Sequence, residues 1–407
     1  MPKSLDAFCE KQLMEIRSRG LHRQLRTVET AQSSSIRVDG VTVHNFSSND
    51  YLGLVNDPMM KDCLQEAIES YGVGSGASPL ISGALQPLHD LQKEIADLKG
   101  TESALVFNTG YATATGTLSA LFGVNDILIL DKLSHACLVD GAKMSRARLR
   151  ICRHNDMNDL ERLLKWASRE MDRRPESERG HVCVIIESVY SMDGDVAPLE
   201  ACVRLKDQYG AWLMVDEAHA TGVLGERGEG LVGSFGYSDQ VEIQMGTLGK
   251  AIGCSGGFIA GSKSLTDLLT NKARSLIFST APSPLVVTAA RKGIEICRSE
   301  VGRERRRRMF GLVNAFWNAL PVEWRHHVGQ GVKPDTPILP WQVGDAVVAV
   351  RLSDDLKARG YFVPAIRYPT VSRDSARLRI TLSASHTEEL VRDLAQVLVE
   401  CHGKLKQ

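Results

Sequence analysis

The chain reads as an α/β protein built on a mostly parallel sheet of about seven strands, and three observations carry that reading. Seven short apolar segments ("SALVF", "DILIL", "LRICR", "HVCVIIE", "AWLMVD", "VEIQMG" and "GGFIAG") are uninterrupted runs, as expected when helices cover both faces of a sheet. Stretches with helical spacing precede and separate them from about residue 60 onward, the alternation that builds parallel sheets. Finally, 407 residues at 43% hydrophobic and 24% charged content suffice for two or three units around sizeable cores.

In chain order, "LDAFCEKQLMEIRSRG" places Leu5, Phe8, Leu13 and Ile16 at roughly helical spacing, with Gly20 as a stop. "SSSIRVDGVTVHNF" reads as a strand pair turning at Asp39-Gly40. "KDCLQEAIESY" and "LHDLQKEIADLKG" read as helices before the first run of the sheet. After about residue 285 the texture shifts. A long basic helix region containing "RERRRR" precedes "ILPWQVGD", "VAVRL", "YFVPAIRY" and "RLRITL". A last amphipathic helix follows, with Thr387 as N-cap and Gly403 just past its end. The expected units are an N-terminal segment (1–59), a large domain (60–285) and a smaller α+β domain (286–407).

Lys+Arg and Asp+Glu balance at 49 each, so no global field gathers nucleic acid or an anionic membrane. The basic run at 303–308 reads as a solvated helix face. Nine cysteines without a C-x-x-C pair, several inside apolar runs, point to a reducing compartment. With no signal segment and no apolar stretch of about 18 residues, the expectation is a cytoplasmic protein.

Ligands of an open parallel sheet sit beyond the carboxyl ends of its strands, so the residues just after each run carry the functional signal. "SALVF" leads into "NTGYAT", where the Gly110 and Tyr111 amides open a helix and suit a phosphate. "DILILD" leads to His135. "HVCVII" ends at Glu187, with Ser191 and Asp193 in the next turn. "AWLMV" ends in "DEAHATG", with Asp216 and His219, and "VEIQM" ends in "GTLGK", with Thr247 and Lys250. Three familiar motifs fail on inspection. "GTLGKA" lacks the first glycine and the Ser/Thr of a P-loop, and "GVGSGAS" misses the dinucleotide spacing. "GCSGG" around Ser255 runs on as a strand where a nucleophile elbow needs a helix. No further ligand set joins Asp216 and His219 in a metal site. Pyridoxal phosphate (PLP) suits the set better. It needs a lysine to bond, an acid for its ring nitrogen, a phosphate cup and a flat group over the ring. Asp216 at a strand end, with Lys250 about 34 residues later, fits that need.

"NFSSNDYLGL", "GSGASPLISG", "LDKLSHACLVDGA", "ESVYSMDGDVAPL", "WLMVDEAHATGVLGERGEG", "GTLGKAIGCSGG" and "AIRYPTV" with "ARLRITLSASHT" resemble the α-oxoamine synthases along essentially the whole chain. These are PLP-dependent transferases of fold type I that condense an amino acid with an acyl thioester. The resemblance implies Lys250 as the Schiff-base lysine, Asp216 on the ring nitrogen, His219 on the ring oxygen with Ser191 beside it, and His135 stacked on the ring. Gly110, Tyr111 and Thr247 would hold the phosphate and ring edge, Glu187 would join the cofactor set, and Thr280 would reach the cofactor of a second subunit in a homodimer with shared sites. Asn49 and Arg367 would hold the amino-acid carboxylate. Ser78, Thr370 and Arg23 would lie toward the acyl substrate, with His135 also on the substrate side. "SSNDYLGL", "SMDGDVAPL" and "AIRYPTV" favour a member joining L-alanine to a pimeloyl thioester, with coenzyme A or acyl carrier protein as carrier. The alternative is a member using glycine or serine. Pro79 and "RYPTVSRD" depart from the common pattern near the acyl side.

Overall fold

The computed structural model describes residues 4–19 and 21–405. The first helix, Leu5–Ser18, is capped by Ser4, whose hydroxyl accepts from Ala7 N at 3.1 Å. Gly20, its expected stop, lies outside the described residues. Strands β1 (Ser35–Val38) and β2 (Val41–Asn45) form the hairpin. Asp39 and Gly40 both adopt positive φ, 51° and 81°, the left-handed pair whose twist matches a two-residue turn.

All seven apolar runs are strands: β3 (Ser103–Phe107), β4 (Ile127–Asp131), β5 (Arg148–Cys152), β6 (Val182–Glu187), β7 (Trp212–Asp216), β8 (Ile243–Thr247) and β9 (Gly257–Gly261). They form one sheet in the order β3-β9-β8-β7-β6-β4-β5. Only β9 runs against its neighbours, β3 and β8. Alternate residues feed two different cores, which is why the runs are unbroken. Ile127, Ile129, Val184, Ile186, Leu213 and Val215 pack on one face. Leu128, Leu130, Cys183, Ile185 and Met214 pack on the other, beneath the helices Gly110–Leu121 and Ala136–Ser145.

Strands β10 (Ile338–Gly344), β11 (Tyr361–Phe362), β12 (Ala365–Ile366) and β13 (Ala376–Thr381) follow. β10, β13 and β12 form an antiparallel sheet, while β11 joins β2 in parallel and returns the chain to the N-terminal hairpin. One segment gains an element and one reading changes. "VAVRL", given no element by the sequence, lies in the helix Ala346–Ala358. Asp345 caps it, accepting from Val347 N and Val348 N at 2.8 Å each, and the buried Ala349, Leu352, Ser353 and Leu356 follow helical spacing. Gly403 does not end the last helix, which runs Glu388–Leu405. A glycine stop needs a left-handed residue, and Gly403 is not one. Thr387 does cap this helix, its hydroxyl accepting from Leu390 N at 3.2 Å.

The basic run is not a simple solvated face. In the helix Glu300–Ala319, Arg305 donates to Leu52 O and Gly53 O and pairs with Asp57. Buried Arg306 donates to Cys297 O (2.7 Å) and Glu226 O, and Arg308 to His386 O (2.8 Å). Nor does packing change at residue 285. Val287, Ala290, Ile294 and Met309 pack in the large core, whereas Leu312, Val313 and Phe316 join Phe46 and the C-terminal elements. The changeover falls inside this helix.

Candidate active site

Strand periodicity decides which side chains meet. Glu187, Asp216 and Thr247 each lie two residues beyond a residue of the second core, Ile185, Met214 and Met245, so all three share one sheet face. Glu187 and Asp216 are also direct partners across β6 and β7. Two carboxylates therefore stand side by side at the carboxyl edge. Both are buried, and that burial raises both above the usual carboxylate range. Glu187 accepts the backbone N–H of His135, which caps the helix Ala136–Ser145 through its ring Nδ1. Asp216 accepts from Ala218 N at 2.9 Å.

The next residue faces the opposite way. Glu217 is fully buried, paired with Lys99 at the end of the helix Gln86–Lys99, and accepts from Val232 N at 3.0 Å. This pair fixes the turn that carries Asp216 and His219.

Lys250 lies in a loop closed by hydrogen bonds from Leu248 N to Gly256 O (3.0 Å) and from Gly253 N to Lys250 O (2.9 Å). Gly253 has φ 78°, and a Cβ there would lie 2.8 Å from Leu54 Cβ, so glycine lets the lysine loop press against the turn after Asn49. Lys250 Nζ is 2.8 Å from His219 Nε2. Dehydration by the surrounding protein pushes the lysine down from its ordinary value, with the Asp216 charge opposing. Burial, then the charges of Lys250 and Arg379, holds His219 well below the usual histidine range.

Two residues at this centre were not named from the sequence. Tyr51, wholly buried, lies 2.7 Å by its hydroxyl from His219 Nδ1. Arg379 donates to Tyr51 Oη (3.3 Å), Asn49 Oδ1 (3.1 Å) and the Ser191 carbonyl. Ser191 thus meets its neighbour through its backbone. A signal for Arg379 existed: in "ARLRITL" the alternation puts Leu378 and Ile380 in the small core and turns Arg377 and Arg379, both buried, to the other side. Buried arginines on a strand need partners. Nothing local distinguished Tyr51, whose partners His219 and Arg379 lie far along the chain.

Of the predicted site residues, the structure gathers Lys250, Asp216, His219, Glu187, His135, Ser191 and Asn49. Gly110 heads the helix Gly110–Leu121, capped by Thr109, and Thr247 Oγ1 lies 3.7 Å from where a Gly110 Cβ would be. A Cβ on Gly257 would come within 2.8 Å of Gly110 Cα, so that glycine allows the helix end to settle on the sheet edge. Tyr111 is exposed and donates to Asp140 at 2.9 Å. Thr280 is exposed too. Its carbonyl takes Asn108 Nδ2 at 2.8 Å and Ala281 N reaches Ala77 O, which brings the Ser78 segment alongside. Arg367 is half-buried, and Thr370 and Arg23 are exposed. Among the described residues, none of the three has a hydrogen bond to the Lys250 cluster, and Arg379 occupies the place beside Asn49 expected of Arg367.

The set fits PLP. It contains a lysine amine of lowered proton affinity, a buried acid for a ring nitrogen, an imidazole for a ring oxygen, and a helix N-terminus with the Thr247 hydroxyl for a phosphate.

A chain with this sheet and this lysine-bearing edge belongs to the class I and II aminotransferases, whose family model matches residues 41–398. It is 44% identical to an 8-amino-7-oxononanoate synthase from Geobacter sulfurreducens over 93% of each chain. It is 37% identical to one from Bacillus pumilus over 98% of this chain and 97% of that one. Among solved structures, a serine palmitoyltransferase from S. paucimobilis with a bound PLP–myriocin aldimine superposes with a TM-score of 0.89 at 25% identity. That match covers 99% of this chain and all of the other. Within its class, the chain belongs to the 8-amino-7-oxononanoate synthase family.

Proposed function

We propose that the chain condenses L-alanine with a pimeloyl thioester, carried on coenzyme A or acyl carrier protein, to give 8-amino-7-oxononanoate, CO2 and the free thiol in biotin biosynthesis. It is a PLP-dependent acyltransferase. The observation that carries the reading is Lys250, set against His219 and near the buried Asp216 at the carboxyl edge of the sheet, in a chain 44% identical to a relative of that name.

PLP, when bound, supplies the sink for the electron pair left on the alanine α-carbon. The chain's own residues do the rest. Lys250, its proton affinity lowered by dehydration, takes the α-proton and later returns one. With PLP bound, Asp216 would keep a proton on the ring nitrogen, His219 would donate toward the ring oxygen, and His135 would lie against the ring. Arg379 with Asn49 holds the substrate carboxylate and so sets which bond at the α-carbon faces the lysine. From their half-buried or exposed positions we place Arg367, Thr370, Arg23 and Ser78 toward the acyl chain.

The working form we propose is a homodimer with shared sites. Leu80, Ile81 and Phe278 are 52%, 80% and 70% exposed, and they flank Ser78 and Thr280 along the chain. Exposed apolar residues on both of these segments suit a second copy. No helix of the described residues is long and apolar enough to cross a membrane. Nine free cysteines, most of them buried, support a reducing cytoplasm as the compartment.

The serine palmitoyltransferase neighbour supports one other reading, L-serine with a long-chain acyl thioester. Mass spectrometry after incubation with PLP and either L-alanine plus pimeloyl-CoA or L-serine plus palmitoyl-CoA separates the two. Product from the first pair alone is expected. Product from the second pair alone refutes the proposal.

A further inference from the structure

Tyr51 sits where the two sides of the centre touch, and the donors around it can be counted. Arg379 has only hydrogens to give. It gives one from Nη2 to Tyr51 Oη at 3.3 Å and one from Nη1 to Asn49 Oδ1 at 3.1 Å. The tyrosine oxygen is therefore already an acceptor, and its own hydrogen needs a taker. Two stand within reach: Asn49 Oδ1 at 3.2 Å, already engaged by Arg379, and His219 Nδ1 at 2.7 Å. The nearer, unshared nitrogen is the better acceptor. A neutral imidazole with a bare Nδ1 carries its proton on Nε2, the nitrogen that faces Lys250 Nζ at 2.8 Å.

We propose that Tyr51 is a positioning residue for the reaction: by giving its hydroxyl hydrogen to His219 Nδ1 it holds His219 as the Nε2–H tautomer, a donor aimed at the reacting centre. This rests on the PLP reading of the site. Burial above all, with the Arg379 charge beside it, holds His219 well below the usual histidine range, so a single ring proton has to be placed. The arrangement also joins the carboxylate side to the cofactor side. A substrate carboxylate that draws Arg379 away from Tyr51 loosens the oxygen that orients His219.

The test uses the full-length, PLP-loaded protein. Nitrogen NMR of histidine-labelled enzyme, with the His219 signal identified by its loss in His219→Asn, is expected to show a bare Nδ1 and a protonated Nε2. A proton on Nδ1 in the wild type overturns the proposal, whether or not any variant folds. Tyr51→Phe keeps the ring and removes the hydroxyl. It should still give the visible band of lysine-linked cofactor. The pH at which that band titrates is expected to move by about one unit. The turnover number is expected to fall roughly tenfold to a hundredfold, as for other residues that orient a reacting group, with KM for alanine within about threefold. A variant with wild-type titration and turnover overturns the proposal and leaves the cofactor reading intact. A wild type that shows no visible band with PLP removes that reading, and this inference with it.

Discussion

The two sides of the centre are built on different principles. On the cofactor side, Glu187, Asp216, Thr247 and Lys250 sit at or just beyond the ends of neighbouring strands of one sheet, placed by register and by the two-residue period. On the side proposed for the substrate, Asn49 and Tyr51 meet Arg379 from 330 and 328 residues away along the chain. Arg367, Thr370 and Arg23 are exposed or half-buried. A sheet edge holds its groups rigidly because moving one strand end would break the ladder beside it. A cradle assembled from distant segments can be retuned by shifting one of them. Constant chemistry belongs on the first, and choice of substrate on the second.

That contrast can be broken most severely at the sheet edge. Lys250→Ala should abolish the visible band and all turnover, read by absorbance and product assay; wild-type turnover would mean the lysine had been misassigned. Next comes the support beneath the edge. Lys99→Met leaves Glu217 buried without its partner and should cost about 3–5 kcal/mol, seen in chemical denaturation. Loss below about 1 kcal/mol would show that the turn bearing Asp216 is held some other way. On the substrate side, Arg379→Lys should lower kcat/KM for alanine about tenfold to a hundredfold. Arg367→Lys should stay within about threefold. Reversed magnitudes would return the carboxylate to Arg367.

The smallest effect concerns His154, which ties the end of β4 to the loop after Ser191. Burial alone would push His154 down, but hydrogen bonds to Asp131 (2.9 Å) and Asp195 (2.7 Å) carry it up to about 10. A histidine raised in the folded state adds stability that is complete below its unfolded value of about 6.5 and lost as pH rises through about 10. The melting-temperature gap between wild type and His154→Gln should therefore shrink between pH 6.5 and 10. A gap that widens would contradict the sign.

The same contrast explains what could be read from the chain alone. Each unbroken apolar run becomes a strand, and the polar residue ending it becomes a site residue, because burial on both faces and position at the edge leave a local trace. "VAVRL" stays ambiguous because its β-branched residues compete with a helix whose cap depends on one aspartate. "RERRRR" misleads because which arginines turn inward depends on carbonyls at 52, 53, 226, 297 and 386. Arg379 could have been found by parity. Tyr51 could not, since its meaning lies in His219, 168 residues on.

The helix Glu300–Ala319 has a mechanical consequence. Its first half is pinned by Arg305 and Arg306 to the large core, and its second half is packed into the small one. It works as an axle passing through both bodies. Sliding one core along it would break the Arg305 and Arg306 bonds, whereas turning about it need not. Any such turn would have to be absorbed where Arg377 and Arg379 grip the 191–193 loop. That second grip is the seam beside Asn49 and Tyr51.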